Sequence, residues 1–203
     1  MSNVTIVGAG SVGRALAAGL ARAGHTVAIG VRNPGDEKHH DLHDHFVLRT
    51  PEDAAAGADV VILAVPVAAL EETVPALKLS PGQVLIDATN AVRTPPPAGF
   101  ATVGAFVASL APTGVAVVKA FNTIGAEHLA DGHVGATAAF LPIAGDDEGR
   151  PLVASLAADL GFDVADLGGP DAIAMVEAFA RLWIHLAFNR GWGRDFGFAA
   201  IRP

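Results

Sequence analysis

The stretch Gly8-Ala9-Gly10-Ser11-Val12-Gly13 has the spacing G-x-G-x-x-G. That spacing can hold a pyrophosphate. The first glycine permits a tight turn, the second lets a phosphate come close to the backbone, and the third lets a helix pack against the preceding strand. The N-terminus of that helix then offers free N–H groups and a positive dipole end to the phosphates. The motif means little alone, but here an apolar run, Val4-Thr5-Ile6-Val7, precedes it and a helical pattern follows, which is the context it requires. An NAD enzyme carries an acidic residue about 20 positions further on, for the ribose hydroxyls. This chain reads Val31-Arg32-Asn33 there, with no carboxylate until Asp36. A guanidinium suits a 2′-phosphate, which it grips through paired hydrogen bonds. The expected dinucleotide is therefore NADP(H). The plain alternative for Arg32 is a solvated loop arginine.

Other candidates stand where further strands should end. Ala64-Val65-Pro66 closes one apolar run, and such a corner suits the face of a nicotinamide; otherwise it is an ordinary strand-end turn. Asn90 closes the next run, and Ala120, Asn122 and Thr123 follow the one after. Asparagine donates and accepts, so Asn90 or Asn122 can bond a carboxamide or a ribose hydroxyl. Helix capping by Asn122 or Thr123 is the alternative.

Acid–base candidates are few. Lys119 is the one lysine of three that sits in a strand heading toward this edge. It is a possible proton donor, with a structural salt bridge as the stronger reading. His128 and His133 follow the 121–125 segment, and His128 is the other possible donor; for His185, among apolar residues, a core or interface role is favoured. His39, Asp41, His43 and Asp44 invite a metal reading through their i, i+4 histidines, but the run is very polar and reads as surface, so no metal site is expected.

These positions require a scaffold. Short apolar runs at 3–7, 25–31, 58–66, 82–90, 114–122 and 136–145 read as strands. Alanine-rich helical segments lie between them at 11–24, 51–57, 67–77, 100–110 and 122–130. Strands without polar alternation, separated by helices, predict an α/β fold: a Rossmann-type, doubly wound, mostly parallel sheet. A helix over 146–161 with Asp146 or Asp147 near its start, one last strand, and a mainly helical 170–203 complete the chain. Proline-dense 92–100 reads as a connecting loop. The expected division is an NADP-binding domain over 1–145 and a helix-strand-helix segment over 146–203 that packs on the same sheet.

Composition narrows the chemistry. The 203 residues include no cysteine, which excludes disulfides, thiolate catalysis, iron–sulfur clusters and cysteine-bound zinc. Tyrosine is absent too, which removes any tyrosine acid. A net charge of −8 gives no basic footprint for nucleic acid. No apolar run is long enough to span a membrane, and the first strand leaves no room for a signal peptide, so a cytoplasmic protein is expected.

Several segments together resemble one family: AVP at 64–66, DATN at 87–90, VVKAFNTIGAEHL at 117–129, AGDD at 144–147 and LWIHLAFNRGWGRDFGF at 182–198. The chain is similar to the NADPH-dependent reductases of the deazaflavin coenzyme F420, in particular their bacterial relatives. The resemblance implies a Rossmann domain, NADP(H), a homodimer, and a small-molecule hydride acceptor that is a deazaflavin or a flavin. Hydride exchange between two stacked rings needs little acid–base help, so catalysis is mainly proximity and orientation. Two other readings are reduction of a small ketone or imine, and a binding module without turnover. Half of the aromatic residues gather from Phe179 onward. Such a surface packs on something: the chain's own core, a dimer partner, or the acceptor as a lid. A dimer interface bordering the substrate site is favoured, with Arg190 and Arg194 placed to meet an anionic tail.

Overall fold

A computed structural model describes residues 1–92 and 95–202. Its strands are β1 (Asn3–Val7), β2 (Thr26–Gly30), β3 (Val47–Arg49), β4 (Val60–Leu63), β5 (Val84–Asp87), β6 (Ala116–Lys119), β7 (His133–Val134), β8 (Thr137–Ala138), β9 (Phe140–Gly145) and β10 (Asp163–Asp166). Its helices are α1 (Ser11–Arg22), α2 (His40–His43), α3 (Pro51–Ala55), α4 (Leu70–Ala76), α5 (Val103–Leu110), α6 (Arg150–Asp159) and α7 (Ile173–Ile184). Eight strands form one sheet in the order β10-β9-β6-β5-β4-β1-β2-β3. Every neighbouring pair is parallel except β6 and β9. The remaining two strands, β7 and β8, pair as a small antiparallel hairpin.

Helices cover both faces, and this is why the strands lack polar alternation. In β4, Val60 and Ile62 pack on the α1 and α6 side with Leu16, Leu20, Val153 and Leu156. Val61 and Leu63 pack on the other side with Ala55, Leu70, Val74 and Phe106 of α3, α4 and α5. Each such side chain contributes about 1.5–3 kcal/mol when buried. The C-terminal part joins the same framework: β10 is a strand of the main sheet, and Ile173 and Val176 of α7 pack on Ala144 of β9.

Three expectations need correction. The 122–130 segment is not a helix: only a single 3₁₀ turn forms, at Ala126–His128, because Phe121 takes a positive φ of 62° and Asn122 is tied sideways to Asn90. The 170–203 stretch is helical only as far as Asn189. After α7 a π turn runs to Asn189, then Gly191 and Gly193, both at positive φ, redirect the chain into an irregular tail. The 136–145 run divides between β8 and β9. In addition, three-residue β3 at the sheet edge was not expected, since it is too short for a period to register. The proposed 92–100 loop is irregular where described, with Arg93 and Thr94 outside the described residues.

Candidate functional site

The carboxyl ends of β1, β2, β4, β5 and β6 lie along one edge of the sheet, so the segments after them converge there. Gly8 adopts φ +111°, and a Cβ on it would stand 2.4 Å from the Ala64 carbonyl oxygen. A Cβ on Gly13 would stand 2.0 Å from the Gly8 carbonyl oxygen, so α1 packs against the turn with no room for a side chain. At Gly10, by contrast, a Cβ would meet nothing within 4 Å. The turn is thus tight where it packs and open where a phosphate would approach. Gly10 caps α1 without a side-chain bond, and the first turn holds no acidic residue. The N–H groups of Ser11, Val12 and Gly13 therefore keep their positive end for an anion.

Sequence reasoning missed Arg14. Its Nε donates to the Ala9 carbonyl (2.9 Å), its Nη2 donates to the Lys38 carbonyl (3.2 Å), and it pairs with Asp41. It therefore fastens the glycine turn to the segment after β2. That hydrogen bond holds the Asp41 carboxyl below the usual carboxylate range. The only signal was an arginine just after the third glycine, which alone implies nothing.

Val31 is buried, whereas Arg32 and Asn33 are exposed. Arg32 has no ion pair among the described residues. The nearest downstream carboxylate, Asp36, is committed to Lys38: their side chains lie 2.7 Å apart, and this bond holds the Asp36 carboxyl low.

Ala64 and Val65 are half-buried beside the glycine turn, with a Val65 methyl 3.2 Å from where a Gly8 Cβ would be; Pro66 is exposed. Across β5 and β6, Asn90 and Asn122 clasp each other. Asn90 Nδ2 donates to the Asn122 carbonyl (2.6 Å), and Asn122 Nδ2 donates to Asn90 Oδ1 (3.1 Å). Ala120 is wholly buried behind them. Asn122 Oδ1 and Thr123 Oγ1 are buried with no partner. Buried polar atoms are nearly always satisfied, so two orphans side by side mark a place where a ligand completes the bonding. Phe121, buried and at positive φ, adds a strained residue of the kind that collects at binding sites. The open Gly10 cradle and the two orphans fit a dinucleotide lying across this edge.

The two proton-donor candidates are both engaged by other groups. Lys119 is fully buried: its Nζ donates to Asp87 Oδ2 (2.7 Å) and to the Thr89 carbonyl (2.7 Å), and lies 3.5 Å from Glu177 Oε1. His128 Nε2 lies 2.9 Å from Asp195 Oδ1, and its Nδ1 lies 3.2 Å from the His133 carbonyl oxygen. His133 faces Asp131, and His185 is exposed at the π turn. Of the histidine-rich run, His39 is buried and His43 bonds the Pro34 carbonyl. Among the described residues no three metal-ligating side chains come together.

The C-terminal aromatics pack on one another. Trp183 and Phe196 stack at 5.2 Å, Phe179 and Phe198 meet at a tilt with ring centres 4.8 Å apart, and Trp183 Nε1 donates to the Phe196 carbonyl. Arg194 pairs with Glu127 at 3.1 Å, so the tail lies over the segment after Thr123. Met175, Leu182, Phe188 and Trp192 stay exposed. A cavity of about 290 Å³ opens between α7 and the loop after Asn90. Among the described residues no helix is long and apolar enough to cross a membrane.

Residues 3–91 match the family model of the NADP oxidoreductases, coenzyme F420-dependent. The whole chain aligns with the whole of a protein from Arthrobacter sp. FB24, provisionally assigned as an F420-dependent NADP reductase, at 28% identity and a TM-score of 0.84. The hypothetical protein SMa0349 from Sinorhizobium meliloti is 34% identical over 86% of this chain and 88% of its own, with a TM-score of 0.73. An imine reductase from Aspergillus terreus, solved with NADPH4 and dibenz[c,e]azepine, shares the fold at 23% identity, over 94% of this chain and 63% of its own, with a TM-score of 0.70. The match over residues 3–91 and the likeness to the Arthrobacter protein agree with each other, and the chain is an NADP-dependent oxidoreductase.

Proposed function

We propose that this oxidoreductase passes a hydride between NADPH and a deazaflavin or flavin-like acceptor. The observation that carries this reading is the wall made by Asn90, Asn122 and Thr123, with its two unpartnered buried oxygens and a cavity beginning at Asn90. In this reading Gly8 to Gly13 hold the pyrophosphate, and Arg32 grips the 2′-phosphate with Val31 and Asn33 beside it. Ala64, Val65 and Pro66 back the nicotinamide face, while Asn122 Oδ1 and Thr123 Oγ1 accept from its carboxamide or from a ribose hydroxyl. NADPH, when bound, supplies the hydride.

The residues act by orientation. The Asn90–Asn122 clasp fixes the wall, and the buried Ala120 leaves no bulky side chain to obstruct the ring. Reduction of a small ketone or imine would also need a proton donor at the acceptor. Lys119 is spent on Asp87 and Thr89, and His128 on Asp195 and the His133 carbonyl, which favours the ring-to-ring reading. We also propose a homodimer through the exposed Met175, Leu182, Phe188 and Trp192, since large apolar side chains exposed along α7 and the segment just after it gain most by being covered.

An acceptor screen tests the proposal: NADPH oxidation is followed with the deazaflavin, free flavins, ferric chelates, quinones and simple carbonyls. Turnover with the deazaflavin or flavins is expected. Robust turnover with carbonyls alone would refute it.

A further inference from the structure

The cavity beside Asn90 contains a charged group that hydride transfer, as described, does not use. Asn90, Pro95, Pro96 and Ala101 line one side, and Glu177 and Arg181 of α7 line the other. Glu177 is only 7% exposed, yet it is a carboxylate. Its Oε1 accepts from the Gly104 N–H (2.9 Å) and lies 3.5 Å from Lys119 Nζ. Lys119 faces a second buried carboxylate at shorter range, Asp87 (2.7 Å). Asp87 is also well supplied, accepting from Thr89 N and Thr89 Oγ1. One ammonium therefore serves two carboxylates, and the shortfall falls on Glu177. Among the described residues its second oxygen has no hydrogen-bond partner. That oxygen is not wholly buried, so a donor that enters the cavity can reach it.

Arg181 stands one turn further along α7, on the same cavity wall. It is exposed and has no ion pair among the described residues. The cavity thus presents an acceptor at depth, a donor at its mouth, and flat apolar walls of proline and alanine opposite. A planar ring whose edge carries an N–H beside a carbonyl matches that order: the N–H to Glu177, the carbonyl to Arg181.

We propose that Glu177 and Arg181 form a clamp that reads the imide edge of the acceptor ring. This rests on the flavin-like acceptor reading, because deazaflavins and flavins carry such an edge and small ketones and imines do not. With the imide held at α7, the central ring lies toward Asn90 and the nicotinamide wall. The clamp is a specificity device and moves no proton in the hydride step.

The test is a binding titration, independent of turnover. Protein saturated with NADP⁺ is titrated with riboflavin and with N3-methylriboflavin, following flavin fluorescence. The methyl group removes the N–H and leaves the ring otherwise intact. The wild type is expected to bind riboflavin at least about tenfold more tightly, since a buried acceptor left unpaired discriminates by that order or more. Glu177→Gln and Arg181→Gln should each shrink that preference to about twofold, with NADP⁺ affinity unchanged. Arg181 is exposed, so its variant serves even if Glu177→Gln folds poorly. Equal binding of the two flavins by the wild type, no binding of either, or an undiminished preference in both variants overturns the clamp. Flavin turnover without N3 discrimination would defeat the clamp and leave the functional reading standing. Selective binding without turnover would do the reverse.

Discussion

The two halves of the proposed site are built by different means. On the cofactor side the shape is in the backbone: Gly8 and Gly13 leave no room for a Cβ, and β1, β2 and β4 bring three loops to one edge. On the acceptor side the shape is in side chains far apart in sequence. Asp87, Thr89, Lys119 and Glu177 tie β5, β6 and α7 together across 90 positions, and the aromatic tail folds back over the segment after Thr123. In the proposed reading the first design holds the dinucleotide, and the second leaves room to change the acceptor without disturbing the first.

The sharpest way to break this contrast is to remove the charge at the centre of the acceptor side. Lys119→Met would leave Asp87 and Glu177 buried without their ammonium. A loss of about 3–5 kcal/mol of stability is expected by denaturant unfolding. A change under about 1 kcal/mol would show that the cluster does not hold α7 to the sheet.

Next comes the backbone of the cofactor side. Gly13→Ala places a methyl against the Gly8 carbonyl oxygen. Overpacking of this kind costs about 1–3 kcal/mol, and NADPH affinity should fall with it because the turn must shift. Wild-type NADPH binding in this variant would mean that the turn is more pliable than the geometry implies.

Arg32→Ala tests one side chain on that backbone. A charge-assisted contact to the 2′-phosphate is worth about 1.5–3 kcal/mol, so NADPH affinity should fall about 10- to 100-fold while NADH affinity hardly changes. Equal losses for both would show that Arg32 does not read the phosphate. The smallest effect is expected from Asp41→Ala, which frees one of the three groups that hold Arg14. A few-fold weakening of NADPH binding, of the order of an exposed ion pair, is expected by titration.

The same contrast explains what could be read from the sequence. Gly8, Gly10, Gly13 and Arg32 lie within 25 positions of one another, and their spacing follows from local turn and helix geometry. The apolar runs of β1, β4, β5 and β6 were equally legible, since strands buried on both faces need no partner to identify them. Glu177 was not legible: a glutamate in an apolar helix has no local signature, and its role depends on a lysine 58 positions earlier. Arg14 failed for the same reason, as its partners lie on another loop. The 122–130 segment misled because its alanine and leucine suit a helix, while the bonds that decide its path run from Asn122 to Asn90.

One measurement addresses the central claim most directly. NADPH carrying deuterium at the nicotinamide C4 is mixed with the enzyme and the deazaflavin, and the reduced acceptor is analysed by mass spectrometry. Direct ring-to-ring transfer predicts one deuterium in the acceptor, from one of the two C4 positions only, and no loss to water. Reduced deazaflavin without label, or reduction of neither the deazaflavin nor a flavin, would contradict it.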